Sequence, residues 1–319
     1  MSEISHDRPR RRRPLRMAVG LLVLLALAGY FAVQRDSNGG GAPYCTASVV
    51  IGAGPGSQGT RQSYEMTPEQ ASNAATIAAV GISKGLPDRA VTIALATAMQ
   101  ESALRNLDHG DRDSLGLFQQ RPSQGWGTPE QITDPVYSAA IFYDHLVEVP
   151  GYSRLPLTVA AQKVQRSGYP QAYAKHEPDA TVLTAAFGDG GTLACSGPAP
   201  AAGDPAKVRA ELVRAFGEQA TTGGAGTAGG AAAVPGTDIS LRLKRDGGPG
   251  EERRGRAMAH WAVARAHELG IIRVSYGTSR WIGGQARGQW QAVGGGGGKS
   301  AGAGPQDALR DEIRISVAR

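Results

Sequence analysis

Glu101 is the side chain of this 319-residue chain best placed to do chemistry. It comes just after the run IALATAM at residues 93–99, whose only polar member is Thr97, so the helix that carries it must be buried over most of its surface. A carboxyl at the end of such a helix is short of water, which disfavours the charged form and raises the pKa. An acid that keeps its proton at neutral pH can hand it to a leaving oxygen. The bland alternative is an exposed glutamate paired with Arg105 one helical turn on. Against it stands the segment beyond the helix: Ser114, Gly116, Leu117, Phe118 and Gln119, in a Ser-x-Gly-Leu-Phe-Gln turn.

Other groups nearby could join the acid. Asp108, Asp111 and Asp113 offer a second carboxylate of the kind two-carboxylate glycosidases need, or else a solvated loop paired with Arg105 and Arg112. Their stretch lacks the alternating ligands and terminal glutamate of a calcium loop. Gln119, Gln120, Gln124 and Trp126 gather amides and an indole, which suit hydroxyl recognition and stacking on a sugar face. Tyr137, Tyr143, Tyr169 and Tyr173 read as packing residues, with one or two reaching the groove. The six histidines show no metal-ligand spacing, and no Gly-x-Ser-x-Gly elbow is present, so neither a metal, a cofactor nor a serine-hydrolase triad is expected.

The order Glu101-Ser102, then Ser114, Gly116, Leu117, Phe118 and Gln119, resembles the lysozyme-like superfamily of soluble lytic transglycosylases and goose-type lysozymes, over roughly residues 46–194. The resemblance implies that Glu101 is the general acid and that the Gly-Leu-Phe-Gln segment lines a sugar groove. It implies peptidoglycan glycan strands as partner and the β-1,4 link between N-acetylmuramic acid and N-acetylglucosamine as the bond cut. Where the family carries Ala-Tyr-Asn-Ala-Gly, residues 160–170 read AAQKVQRSGYP, leaving Gln165, Ser167 and Tyr169 as the polar residues there. The expected substrate contacts are therefore Ser114, Gly116, Leu117, Phe118, Gln119, Gln120, Trp126, Gln165 and Tyr169. A wall-binding scaffold that keeps the groove without turnover is the alternative.

The formal charge of +6 is unevenly spread. Residues 1–16 hold six arginines against Glu3 and Asp7, residues 46–194 hold ten basic and fourteen acidic side chains, and residues 195–319 hold seventeen basic and eleven acidic. With aromatics at 6%, the composition does not suit a nucleic-acid surface, and no nucleic-acid partner is expected. Residues 17–33 carry no charge and lie directly after the arginine-rich tail, which predicts a transmembrane anchor with the tail cytoplasmic and the bulk of the chain outside. A signal peptide cleaved after Ala26-Leu27-Ala28 is the rival, and either exports the remainder. In an exported protein two cysteines predict one disulfide, Cys45 with Cys195, tying together the two ends of the candidate domain.

The elements that must position Glu101 read mainly as helices. Thr67-Pro68-Glu69-Gln70 supplies a capping box for a first helix rich in alanine, Pro87-Asp88 opens the helix of Glu101, and Asp134 caps a helix over 135–146. Further helices are predicted over 158–165 and 179–187. The expected fold is thus a mainly α lysozyme-like domain over 45–195 behind an N-terminal transmembrane helix and a spacer at 34–44, then a Gly/Ala/Pro-rich linker over 196–236 with a short helix at 205–219. A small α/β accessory module over 237–319 completes the chain, with a helix at 256–269, strands at 271–276 and 312–317, and a loop at 294–304. Its Trp261-Ala262-Val263-Ala264, Leu269-Gly270, Trp281, Trp290 and 311–317 faintly resemble a module of metal-dependent peptidoglycan peptidases. Glu312 and Arg314 stand where that family has histidines, and a cation cannot replace an imidazole ligand, so the module reads as metal-free.

Overall fold

The computed structural model describes residues 42–54, 57–169, 171–188, 190–198, 200, 202–218, 237–243, 250–285, 288–293 and 312–319. The basic tail, the apolar segment at 17–33, most of the spacer, the stretch 219–236 and the loop at 294–304 lie outside these residues. Among the described residues no helix is long and apolar enough to cross a membrane. Pro43–Arg319 form one compact unit.

Strands open that unit. β1 (Tyr44–Gly54) and β2 (Ser57–Met66) pair antiparallel from Cys45 opposite Met66 to Gly54 opposite Ser57. β3 (Gly191–Ser196) returns along the other side of β1 and sets Cys195 directly opposite Cys45, to which it is disulfide-bonded across 150 residues of chain. The expectation of a mainly α domain is therefore corrected: with about 47% helix and 23% strand in two antiparallel sheets, the fold is a mixed α/β one. Small residues hid the strands. Cys45 and Ala47 are buried in alternation with Thr46 and Ser48, a period-2 pattern of weak hydropathy.

Helices fill the space against this sheet. α1 (Pro68–Ser83) starts in a capping box, in which the Gln70 N–H donates to Thr67 Oγ1 at 3.2 Å and the Thr67 N–H donates to Gln70 Oε1 at 2.9 Å. Its alanines at 71, 74, 75, 78 and 79 are all buried, so neighbours approach it from nearly every side. After α2 (Asp88–Ser102) come the short α3 (Pro129–Ile132), then α4 (Pro135–Val147), capped by Asp134, and α5 (Leu157–Gln165). Tyr143 of α4 donates to the Ile77 carbonyl at 3.0 Å, and a Cβ on Gly81 would lie 2.7 Å from its Oη, so that glycine makes room for the phenol. α6 (Glu177–Phe187) packs on both α2 and the sheet.

α7 (Pro205–Phe216) buries Val208, Leu212, Ala215 and Phe216, and β4 (Asp238–Arg242) comes next among the described elements. The helix expected at 256–269 is two, α8 (Gly250–Ala264) and α9 (Ala266–Leu269), divided at Arg265. With β5 (Ile271–Tyr276), β6 (Ser279–Ile282), β7 (Gln291–Ala292) and β8 (Glu312–Val317) the second sheet runs β4-β8-β5-β6-β7. α8 covers that sheet while meeting α1, α6 and β3. Two indoles finish the junction: Trp281 Nε1 donates to the Cys195 carbonyl at 3.3 Å and Trp290 Nε1 to that of Leu193 at 2.8 Å. These bonds occupy carbonyls of β3, an edge strand that would otherwise offer them to another chain.

His260 lies in the same junction, wholly enclosed, with Nδ1 bonded to the Ala186 carbonyl and its ring 5.4 Å from that of Trp290. Burial pushes its pKa down from 6.5 to about 4. The unfolded chain therefore takes up a proton at this position over a window in which the folded protein does not, and stability falls as pH drops from 6.5 toward 4. Replacing His260 by asparagine should flatten the acid side of a plot of melting temperature against pH, even if the variant is less stable throughout; an unchanged slope would discount this histidine.

Candidate active site

The last turn of α2 holds Glu101 half-buried, and two side chains reach its carboxyl. The Tyr173 hydroxyl donates to Oε1 at 2.6 Å, and the Gln165 amide lies close enough to favour the charged form. Burial raises the pKa above the ordinary glutamate value and outweighs these two neighbours, both of which lower it. Tyr173 itself is fully buried, and burial, then the charge of Glu101, push its phenol far up. It acts as a proton-bearing donor, its hydroxyl going to Glu101.

The acid is fixed to the turn beyond it by two links. Gln165 Nε2 donates to the Phe118 carbonyl at 2.7 Å. Buried Ser102 Oγ lies 2.8 Å from the Leu117 carbonyl and 3.0 Å from that of Ala98, between which it shares its proton. The helix stops just after, because Ala103 and Leu104 take left-handed conformations, at φ 53° and 61°. Their carbonyls receive side-chain donors from α1: Gln70 Nε2 to Ala103 at 2.9 Å and Asn73 Nδ2 to Leu104 at 2.8 Å.

The turn is closed by backbone bonds in both directions between Leu115 and Gln120. Gly116 has φ +74°, and a Cβ there would lie 2.5 Å from the Ile132 carbonyl oxygen, so no larger residue fits. Gln119 is also left-handed, at φ 48°, and its amide donates to the carbonyls of His109 and Gly116, both at 3.3 Å.

The expected contact residues divide into three groups. Ser114, Gly116, Leu117 and Phe118 are buried, with the Phe118 ring stacked 4.6 Å from Phe142, so they belong to the core. Gln120 is buried as well and spends its Nε2 on the Ser138 carbonyl at 3.0 Å. Gln119 and Trp126 are half-buried, the indole lying 4.5 Å from His145 with its backbone carbonyl accepting from Tyr137. Only Gln165 of the set adjoins Glu101, and Tyr169 is 77% exposed.

Arg105 does not take the acid, since its Nε approaches the Ser102 carbonyl at 3.5 Å. Among the described residues the side chains that shift Glu101 are a phenol and an amide and not another carboxyl. Asp113 is held by Arg121 at 2.7 Å and the Ser123 N–H at 2.9 Å, contacts that keep it far below the usual carboxylate range. Asp108 is exposed and paired with His109 at 2.7 Å. Tyr173 is the partner of Glu101 that pattern reading does not single out, because a tyrosine in a helix-rich stretch looks like packing. Its one sequence signal is closeness to Gln165, Ser167 and Tyr169. No group of three or more His, Cys, Asp or Glu side chains among the described residues could hold a metal ion.

No protein-family model matches this chain, and a search of curated proteins finds no significant relative.

Because the folded pKa of Glu101 lies above the ordinary 4.5, the folded protein keeps this proton over a range in which the unfolded chain has lost it. The contribution of the group is whole below that range and is lost as pH rises through it. Glu101→Gln should accordingly melt at a higher temperature than the parent near neutral pH and show no such gain below about pH 4. Tyr173→Phe, which removes a donor to the carboxylate, should move the Glu101 titration further up, as read by carboxyl carbon NMR. A downward move would show that the phenol favours the neutral acid instead.

Proposed function

We propose that this chain is an exported peptidoglycan-cleaving enzyme, a muramidase or lytic transglycosylase, with Glu101 as general acid and then general base on the β-1,4 link between N-acetylmuramic acid and N-acetylglucosamine. The observation that carries the reading is a carboxyl with a raised pKa, at the end of a buried helix and bonded to a buried phenol, joined through Gln165 to the Phe118 carbonyl of the turn. The sequence resemblance adds the substrate class. Export rests on the arginine-rich and then apolar amino-terminal segment.

In this mechanism Glu101 protonates the glycosidic oxygen as the bond to the muramyl carbon breaks. Tyr173 then donates to the new carboxylate and Gln165 favours it, where the burial of the site would otherwise penalise it. A lone carboxylate suits a route in which the substrate's N-acetyl group assists departure. Glu101 next removes the proton from the muramyl 6-hydroxyl, which closes a 1,6-anhydro ring, or from a water molecule, which gives a reducing end. Gln119, Trp126 and Tyr169 are the exposed or half-buried groups available to the flanking sugars.

Zymography on purified cell wall tests the proposal directly. Glu101→Gln should clear the wall about 10² to 10⁴ times more slowly than the parent, the usual span for loss of a general acid. Equal clearing would remove Glu101 from the reaction. Retention on insoluble peptidoglycan with no released muropeptides from the parent would point to a wall-binding scaffold. Mass spectrometry of the products separates the two routes, since an anhydro end is lighter than a reducing end by one water.

A further inference from the structure

One face of the second sheet is packed under α8, and the other carries polar and charged side chains. Ile239, Leu241, Val274, Trp281, Ile313, Ile315 and Val317 are buried on the α8 side. By strand alternation the opposite face carries Asp238, Ser240, Arg242, Arg273, Ser275, Arg280, Ile282, Glu312, Arg314 and Ser316, all half-buried or exposed. Four of these are arginines. The register places Ser275 directly opposite Arg314 on one side and Arg280 on the other, so a serine lies between two cations in one row. Arg273 pairs with Ile282, which makes it the diagonal neighbour of Arg280, roughly 7 to 8 Å away for such a pair.

Two carboxylates share this face: Asp238, opposite Ser316 on β8, and Glu312, which is engaged. Glu312 accepts from Arg314 at 2.8 Å and from Ser240. Arg242, Arg273 and Arg280 have no ion pair or hydrogen bond from their guanidinium groups among the described residues, and the Nε atoms of Arg273 and Arg280 are buried without a partner. Arg253, Arg256 and Arg265 on the helical side each pair with a carboxylate. Two neighbouring cations with nothing between them repel, and an anion seated across them relieves that cost. The excess of basic over acidic residues in 195–319, opposite in sign to that of 46–194, would draw such a ligand toward this half of the chain.

We propose that this face of the second sheet is a docking surface for a phosphate-rich polymer, gripped by Arg273 and Arg280 with the Ser275 hydroxyl between the rows. Guanidinium forks match the oxygens of carboxylate and phosphate alike. Phosphate is favoured because it has oxygens enough to engage two forks and a hydroxyl together, whereas a carboxylate is filled by one fork. A polymer fits better than a single ion because further cations lie along the same face, Arg314 beside Ser275 and Arg242 on the outer strand, with Glu312 between them. The surface is distinct from the Glu101 site and does not depend on what that site cleaves.

Binding of long-chain inorganic polyphosphate to the full chain tests it, by fluorescence anisotropy of labelled polymer at low and at moderate salt. The parent should bind with an affinity that falls as salt rises, and Arg273→Gln/Arg280→Gln should bind at least tenfold more weakly. Arg154→Gln/Lys207→Gln, which removes the same charge elsewhere, should bind like the parent. Arg280→Lys, which keeps the charge and loses the fork, should fall between. Equal binding by the parent and the Arg273/Arg280 variant overturns the proposal, and so does equal loss in the Arg154/Lys207 variant. Tighter binding of polyglutamate of matched charge would overturn phosphate as the ligand chemistry. A circular dichroism melt of the double variant separates lost binding from lost folding. Wall clearing by the parent is read separately, so failure of one proposal leaves the other standing.

Discussion

The arrangement depends on holding the end of α2 still while it departs from helical geometry. Two successive non-glycine residues, Ala103 and Leu104, turn left-handed directly after Ser102. Each such conformation costs roughly 1 to 2 kcal/mol. Against that stand the donors from Gln70 and Asn73 and the Ser102 bond to Leu117, each contributing about 1 kcal/mol net, the last two also sparing a buried carbonyl from going unpaired. The terms are of similar size, so the turn persists because α1 is locked beside it by its alanine faces. Strain of this kind gathers where a side chain has to be held in a position relaxed backbone would not give. Here that side chain is Glu101.

The same logic explains which features could be read from the sequence and which could not. Caps are local: Thr67 with Gln70, and Asp134 with the N–H groups of Val136 and Tyr137, depend on residues two or three apart, and the helices begin where those residues predict. The acid was legible because the burial of 93–99 is written in its composition. The first sheet was not, since the buried alternation of β1 falls on Cys45 and Ala47 among Thr and Ser, its partner β2 is largely polar, and its closure pairs residues 150 apart. Tyr173 escaped for a related reason. Nothing around it marks a phenol whose partner is 72 residues away.

The second sheet makes a complementary point about edges. β3 is short and lies at the border of the first sheet, yet its carbonyls meet Trp281 and Trp290 from across the junction. Arg265 extends that junction, stacked 5.0 Å over Trp261 and paired with Glu211 and Glu268. Glu268 in turn accepts from Ser72 on α1, so the helix that steadies the acid is also bonded to the C-terminal part of the chain. Unfolding the second sheet would uncover one face of α1 and the outer edge of β3 together.

The acid-then-base role proposed for Glu101 requires that the carboxyl not be tuned for one state alone. Burial by itself would favour the neutral carboxyl, and the proton would be released only at a high cost in the ionised product. Hydrogen bonds to a charged group contribute about 1.5 to 3 kcal/mol each, enough to offset much of the desolvation without reversing it. Glu101 has this balance: desolvation is the larger effect and sets the direction, while Tyr173 and Gln165 limit its size. Neither donor can move independently, because Gln165 is tied to the Phe118 carbonyl and Tyr173 is walled in on every side. In the proposed reaction the donors would already be aimed when negative charge develops, with little reorganisation left to supply. That preorganisation is also why the Gly-Leu-Phe-Gln turn belongs to the site even though Leu117 and Phe118 are themselves out of reach of any ligand: their backbone carbonyls hold the residues that hold the acid.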